Sequence, residues 1–357
     1  MHLVTFERRG PDGAELASRQ ERVGSMSDAA LGFETLEGVA QGARRIGALL
    51  TRGPHAGNVV DLNRALAIRL ACDDVGAPEA EADSLLPADS RVFLQRLPGS
   101  LEAARDALEF AADALERYDA PDVLRAGVVE GRAQLRLCAP IPRPGKILGV
   151  ARNYSAHAAE RGDAAPSEPV LFLKAPSAVI GPEDEIRLPS ASSRVDFEGE
   201  LAVVIGRAAR NVLTDTALRY VAGYCAANDV SARDFQNERG QHFIGKSCDS
   251  FAPLGPALVT ADEIDDPQSL AIRTTVSGEV LQSGNTKEMT FSVAQVIAFA
   301  SRLMTLEPGD VLLTGTPAGV GAARVPPRYL RDGDVVDVEV EKVGRLRNYV
   351  RAEPSGR

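Results

Sequence analysis

Glu198 and Glu200 flank Gly199 at the mouth of an apolar run, Leu201-Ala202-Val203-Val204-Ile205. Residues two apart in a strand point to one face, so the two carboxylates are expected to project together, with Gly199 leaving the opposite face empty. Their mutual repulsion is a cost unless a cation sits between them or one of them stays protonated. The same pattern also occurs on solvated strand faces, and spacing alone leaves both readings open. A second apolar run, Val221 to Ala227, ends in Asn228-Asp229 and delivers a third acid to the edge of the core. Alone, Asp229 would be a turn residue or a helix cap. Together the three acids suit an octahedral cation with positions left for water and substrate. Oxygen ligands without cysteine or clustered histidine favour magnesium, manganese or calcium over zinc.

His157 and Glu160 are three residues apart, a spacing that one helical turn brings together, so Glu160 could orient His157 as a general base. A lone histidine is more often a surface or hydrogen-bonded residue, and geometry has to decide. The run from Gly240 to Ser247 matches the phosphate-loop pattern G-x-x-x-x-G-K-S. Its context argues against nucleotide binding: Arg233 to Arg239 is too polar for the buried strand that should precede such a loop. Pro253 and Gly255-Pro256 also cut short the helix that should follow it.

From Gly149-Val150-Ala151-Arg152-Asn153-Tyr154-Ser155-Ala156-His157-Ala158-Ala159-Glu160 to Gly344 the chain resembles the catalytic domain of the fumarylacetoacetate hydrolase family. The matching segments are Phe172-Leu173-Lys174, Asp196-Phe197-Glu198-Gly199-Glu200-Leu201, Asn228-Asp229-Val230-Ser231-Ala232-Arg233-Asp234, Gly245-Lys246-Ser247-Cys248-Asp249 and Pro308 to Gly321, in the family's order. The resemblance implies a β-roll-like catalytic fold, a divalent metal (magnesium or manganese) on Glu198, Glu200 and Asp229, and commonly a homodimer. It also implies that His157 and Glu160 lie on a segment that orders over the substrate. The segments Gln236 to Gly240, Lys246 to Phe251 and Pro326 to Leu330 look most like the branch of diketo-deoxy-sugar-acid hydrolases and ureidoglycolate lyases.

On this basis the expected substrate is a small oxo acid, and the reaction expected first is hydrolysis of a C–C bond in an acylpyruvate-like or 2,4-diketo sugar acid. The cation would act as the electron sink for an enolate, and His157 would activate water. Decarboxylation, keto–enol tautomerisation and dehydration use the same enolate and stand as alternatives. Lys246 is the cation expected to face the substrate carboxylate or the developing oxyanion. Lys174 is a second candidate for binding substrate, although a solvated lysine would read the same way. Thr316, in the glycine-rich Gly315-Thr316-Pro317, is either a ligand contact or part of a tight turn.

The elements that must position these groups are short β-type runs: Lys146 to Val150, Val170 to Leu173, Leu201 to Ile205, Val311 to Thr314 and Val335 to Val340. In the last of these, Val336, Val338 and Val340 alternate with Asp337 and Glu339, which predicts a strand with one wet face. Ser292 is expected to cap a helix reaching Met304. Pro140, Pro142 and Pro144 predict an extended boundary between a small N-terminal domain over 1–140 and a catalytic domain over 145–352. In the N-terminal part, Ser100 is expected to cap a helix whose stripe is Leu101, Leu108 and Leu115 with Ala104 and Ala111. Residues 10 to 45 are poor in pattern and are expected to form a loose insertion.

The whole is an α+β, β-rich protein. Its 357 residues, 44% hydrophobic and 25% charged, suffice for a sizeable core. A formal net charge of −10 argues against nucleic acid and anionic lipid as partners. No run is long and apolar enough to span a bilayer, and the first nine residues do not read as a signal peptide, so a cytoplasmic location is expected. Cys72, Cys138, Cys225 and Cys248 are widely spaced and are expected to be reduced and mostly buried.

Overall fold

The computed structural model describes residues 1–9, 44–160, 162, 164–239 and 242–353. The segment 10–43, most of the expected insertion, lies outside the described residues, and Arg45 already belongs to a strand. The chain divides into two compact units: one holds His2–Leu137, and the other holds Met1 with Cys138–Arg357.

The smaller unit carries β1 (His2–Arg8), β2 (Arg45–Leu49), β3 (Val59–Asp61), β4 (Val129–Glu130) and β5 (Leu135–Cys138), in the order β4-β3-β2-β1, with β5 also on β1. Its helices are α1 (Leu62–Cys72), α2 (Pro78–Leu85), α3 (Ser90–Gln95), α4 (Gly99–Arg117) and α5 (Ala120–Arg125). Two expectations fail in α4. The helix starts behind Pro98, and Ser100 lies inside its first turn, where its hydroxyl donates to Phe93 O at 2.7 Å instead of capping. The fully buried line is Ala103, Ala104, Ala107 and Ala111, while Leu101, Leu108 and Leu115 are only half-buried. Small side chains let α4 approach its neighbours closely, so the leucines flank the seam instead of forming it.

In the larger unit the described elements are β6 (Ile147–Ala151), α6 (Ser155–Glu160), β7 (Val170–Lys174), β8 (Val179–Ile180), β9 (Glu185–Leu188), β10 (Val195–Asp196), β11 (Gly199–Ile205), β12 (Val221–Asn228) and β13 (Ser231–Ala232). They continue with α7 (Arg233–Arg239), α8 (His242–Lys246), β14 (Ala252–Thr260), β15 (Ala271–Val276), β16 (Glu279–Asn285), α9 (Val293–Leu303), β17 (Val311–Leu313), β18 (Val335–Val340) and β19 (Gly344–Ala352). One sheet runs β14-β12-β11-β17-β6-β7, and a second runs β16-β15-β18-β19-β9. This is an α+β, β-rich domain, as the sequence led one to expect.

β11 lies between β12 and β17, both antiparallel to it, and all seven of its residues are buried. That two-sided burial explains its unbroken run of small and branched apolar residues. α9 begins as expected: the Ser292 hydroxyl accepts from Gln295 N, and the Gln295 side chain accepts from Ser292 N. β18 keeps its alternation, and on the face expected to be wet Glu339 stays partly exposed while Asp337 is covered by charge pairing. Asp337 is 8% exposed and accepts from Arg345 and Arg347 across the β18–β19 pair. Cys138 and Cys225 are buried, Cys248 is half-buried and Cys72 is exposed, all four as free thiols. Among the described residues no helix is long and apolar enough to cross a membrane.

Candidate active site

The β11–β12 pair assembles the acids. Gly199 pairs with Asn228 and Glu200 with Ala227, so Glu198 and Glu200 come up beside the end of β12, where Asp229 leaves the strand. Asp229 N donates to Glu198 O at 2.8 Å, and Glu198 N donates to Asn228 Oδ1 at 3.0 Å. One carboxylate oxygen from each of Glu198, Glu200 and Asp229 lies within 4.8 Å of the others, and all three residues are buried.

Gly199 does not face an empty side. A Cβ there would lie 2.0 Å from Thr274 Oγ1 and 3.2 Å from Val338 Cγ1 of the second sheet. Gly199→Ala should therefore destabilise the fold by about 1–3 kcal/mol through overpacking. Thr274→Ala in the same chain should restore most of that loss in urea denaturation, whereas a double variant no more stable than Gly199→Ala would mean that this contact is not the constraint.

Three cations surround the acids. Lys246 Nζ is 2.6 Å from both Glu198 Oε2 and Asp229 Oδ2. Lys174 Nζ is paired with Asp229 and donates to Val230 O at 3.2 Å. Arg233 meets Glu198 Oε1 at 2.6 Å and Asp196 Oδ2 at 2.9 Å. Sequence reasoning gave no role to Arg233 or Asp196, although both lie inside the segments that carried the family resemblance. Lys174 is 1% exposed and belongs to the acid cluster; no solvated surface holds it.

Burial pushes Glu198 up, but Lys246, Arg233 and His157 outweigh it and hold this carboxyl well below the ordinary carboxylate value. Glu200 behaves oppositely. Burial, then the charges of Asp229 and Glu198, push it well above that value, against the opposing pull of Lys246 and of Gly315 N–H, which donates to Glu200 Oε2 at 2.7 Å. Burial also lowers Lys174 despite Asp229, while Asp229 and Glu198 raise Lys246 against its own burial.

With Asp196 included, four carboxylates face three cations, so the cluster is one positive charge short when every group is ionised. The shortfall falls on Glu200. A divalent cation held by Glu198, Glu200 and Asp229 would more than supply the missing charge, and the three buried carboxylates are hard oxygen donors of the type magnesium and manganese require. The residues present fit such an ion.

α6 places His157 and Glu160 on one turn. His157 Nδ1 is 2.7 Å from Glu160 Oε1, and Gly319 N donates to Glu160 Oε2 at 2.9 Å. His157 is 6% exposed and lies near enough to Glu198 for its charge to lower that carboxyl. With Nδ1 engaged by Glu160, Nε2 is the ring nitrogen left to meet a ligand.

Thr316 is buried with its hydroxyl engaged in the fold: Oγ1 donates to Gly199 O at 2.9 Å and accepts from Gln282 Nε2 at 2.7 Å. The phosphate-loop pattern has the wrong geometry for a nucleotide. Lys246 sits at the end of the short helix α8, its ammonium is committed to two carboxylates, and Gly240 and Gln241 lie outside the described residues.

Residues 146–351 match the family described as fumarylacetoacetate (FAA) hydrolase C-terminal. The mitochondrial oxaloacetate tautomerase fahd2 of Xenopus laevis is 41% identical over 308 residues, 86% of each chain. Among solved structures, a fumarylacetoacetate hydrolase (EaFAH) from Exiguobacterium antarcticum is similar with a TM-score of 0.67 and 36% identity, over 88% of this chain and 97% of that one. A 2-hydroxyhepta-2,4-diene-1,7-dioate isomerase from Mycobacterium marinum is similar with a TM-score of 0.57 and 41% identity, over 64% of this chain and 82% of that one.

Proposed function

Because this chain belongs to the fumarylacetoacetate hydrolase family, we propose that it is a divalent-metal-dependent enzyme catalysing keto–enol tautomerisation of a 2-oxo dicarboxylic acid of the oxaloacetate type. The observation that carries the reading is the His157–Glu160 pair, 2.7 Å apart, beside three buried carboxylates. A proton lost from the enol oxygen and a proton gained at C3 balance the reaction, with no water consumed and no C–C bond broken. His157, steadied through Nδ1 by Glu160, would carry the C3 proton on Nε2.

A magnesium or manganese ion on Glu198, Glu200 and Asp229 would supply Lewis-acid stabilisation of the negative charge developing on the C2 oxygen. Lys246, whose ammonium lies 2.6 Å from both Glu198 and Asp229, would be the cation that faces the substrate carboxylate or that developing charge. Lys174 and Thr316, expected from the sequence to bind substrate, support the ligands in this reading: Lys174 balances Asp229, and Thr316 fixes the backbone between the two glutamates.

C–C hydrolysis, the reaction expected first, needs the same dyad to activate water. Tautomerisation is favoured over it because two of the similar proteins are named a tautomerase and an isomerase. The Xenopus relative is named as mitochondrial, so the expectation of a cytoplasmic location is not carried further. We also propose a homodimer, which light scattering on the eluting protein would test. The proposed reaction is tested by following decay of the enol absorbance of oxaloacetate. Acceleration that is lost in EDTA and restored by manganese supports it, whereas decay at the uncatalysed rate with manganese present contradicts it.

A further inference from the structure

The chain from Gly315 to Ala322 reaches Glu200, the backbone of Gly199, Glu160 and Asp196. Gly315 N donates to Glu200, Thr316 Oγ1 to Gly199 O and Gly319 N to Glu160; Gly321 N and Ala322 N donate to Asp196, the partner of Arg233. The bed on which this loop lies is β16 of the second sheet. A Cβ on Gly284 would meet Pro317 Cβ at 2.6 Å, and a Cβ on Gly319 would meet Leu281 O at 2.2 Å, so the loop and strand approach as closely as two glycines allow. Arg324 also donates to Leu281 O at 2.8 Å.

Between these contacts sits Gln282, 1% exposed, with its whole amide engaged. Its Oε1 accepts from Gly199 N at 2.9 Å, and its Nε2 donates to Thr316 Oγ1 at 2.7 Å and to Pro317 O at 2.8 Å. Since Thr316 in turn donates to Gly199 O, both backbone polar groups of the residue between Glu198 and Glu200 are fixed through this one amide. The position needs one acceptor and two donors at a single side-chain end, and a neutral primary amide supplies them.

We infer that Gln282 is a positioning residue for the reaction: through Gly199 and the loop it sets the place of the carboxylate ligands relative to the His157–Glu160 pair. The inference rests on reading those two groups as metal ligands and proton carrier. Ligand supports of this kind change metal affinity or activity by about 10- to 100-fold when removed.

The test is a calorimetric titration of the whole chain with manganese chloride, together with kcat and KM for enol-oxaloacetate. Gln282→Met keeps the length and deletes all three bonds, and Gln282→Asn leaves the amide one methylene short. Thr274→Ala is the control, because it loosens packing against the same glycine without touching a hydrogen bond of this network. The glutamine variants should bind manganese about tenfold or more weakly and lose about tenfold in kcat with KM little changed. Thr274→Ala should lower only the melting temperature.

Wild-type manganese affinity in a folded glutamine variant would overturn the inference. So would an equal loss of affinity in Thr274→Ala, or failure of both glutamine variants to fold where Thr274→Ala folds. The titration needs no substrate. Absence of enol ketonisation in the wild-type protein would therefore refute the proposed reaction and still leave the titration to decide on Gln282.

Discussion

Glu200→Gln should reduce manganese or magnesium affinity on the order of 10²-fold or more, because a hard cation loses one of three anionic ligands. Turnover of the oxo acid should fall on the order of 10³-fold, the equivalent of several kcal/mol of lost charge stabilisation. The same change should not lower the melting temperature of the metal-free protein. Glu200 is held well above the ordinary carboxylate value by burial and then by Asp229 and Glu198, so its ionised form opposes folding unless a cation is present.

A folded-state value above the unfolded one means that the native chain holds the extra proton. Glu200's contribution to stability therefore falls as pH rises from the unfolded value through the raised one. For the same reason, metal affinity should rise with pH over that interval, since binding has to displace the proton. Asp229→Asn should behave differently. It leaves Lys174 and Lys246 short of their shared partner and should lower the melting temperature even without metal. Calorimetric titration and thermal unfolding of both variants in EDTA would check this contrast. A metal-free Glu200→Gln protein clearly less stable than wild type would mean that the carboxylates do not repel as the geometry requires.

The residues that local pattern could find were those whose role is set by a strand or a turn. Alternation and branched side chains marked β11, β17 and β18, and Ser292 marked the start of α9. The two-residue spacing of Glu198 and Glu200 pointed to the right pair, although only Glu200 lies in β11; Glu198 just precedes the strand and is fixed by Asn228 and Asp229. What pattern could not find depends on register between distant segments. Lys174 reads as a solvated lysine until β7 and the end of β12 set it against Asp229, 55 residues later.

Gln282 lies 83 residues from the glycine it holds and has no periodic signal, because a buried polar residue in a strand looks like one on a wet face. Gly199 was misread for a related reason. Its missing side chain is space taken by Thr274 of the other sheet, a contact that nothing in β11 itself encodes.

His157→Ala should keep manganese and oxalate binding within about threefold while lowering kcat on the order of 10²-fold or more, the usual contribution of a positioned acid–base group. The imidazole is not one of the three converging ligands, and its Nδ1 is engaged by Glu160, so its removal leaves the carboxylates in place. Glu160→Gln should cost less, because an amide oxygen can still accept one hydrogen bond although the charge that favours an imidazolium is lost. Oxalate imitates the enolate of a 2-oxo acid and reports on the metal and Lys246 without needing a proton carrier. If His157→Ala lost oxalate and manganese affinity in parallel with kcat, His157 would be part of the binding site and not the proton carrier.

The most direct measurement of the central claim is proton exchange at C3 of oxaloacetate in deuterium oxide, followed by NMR with the manganese- or magnesium-loaded chain. Tautomerisation predicts deuterium entering C3 with the carbon skeleton intact, at a rate that falls in EDTA, in Glu200→Gln and in His157→Ala. Pyruvate appearing as fast as the deuterium, or exchange that the two variants leave unchanged, would contradict it.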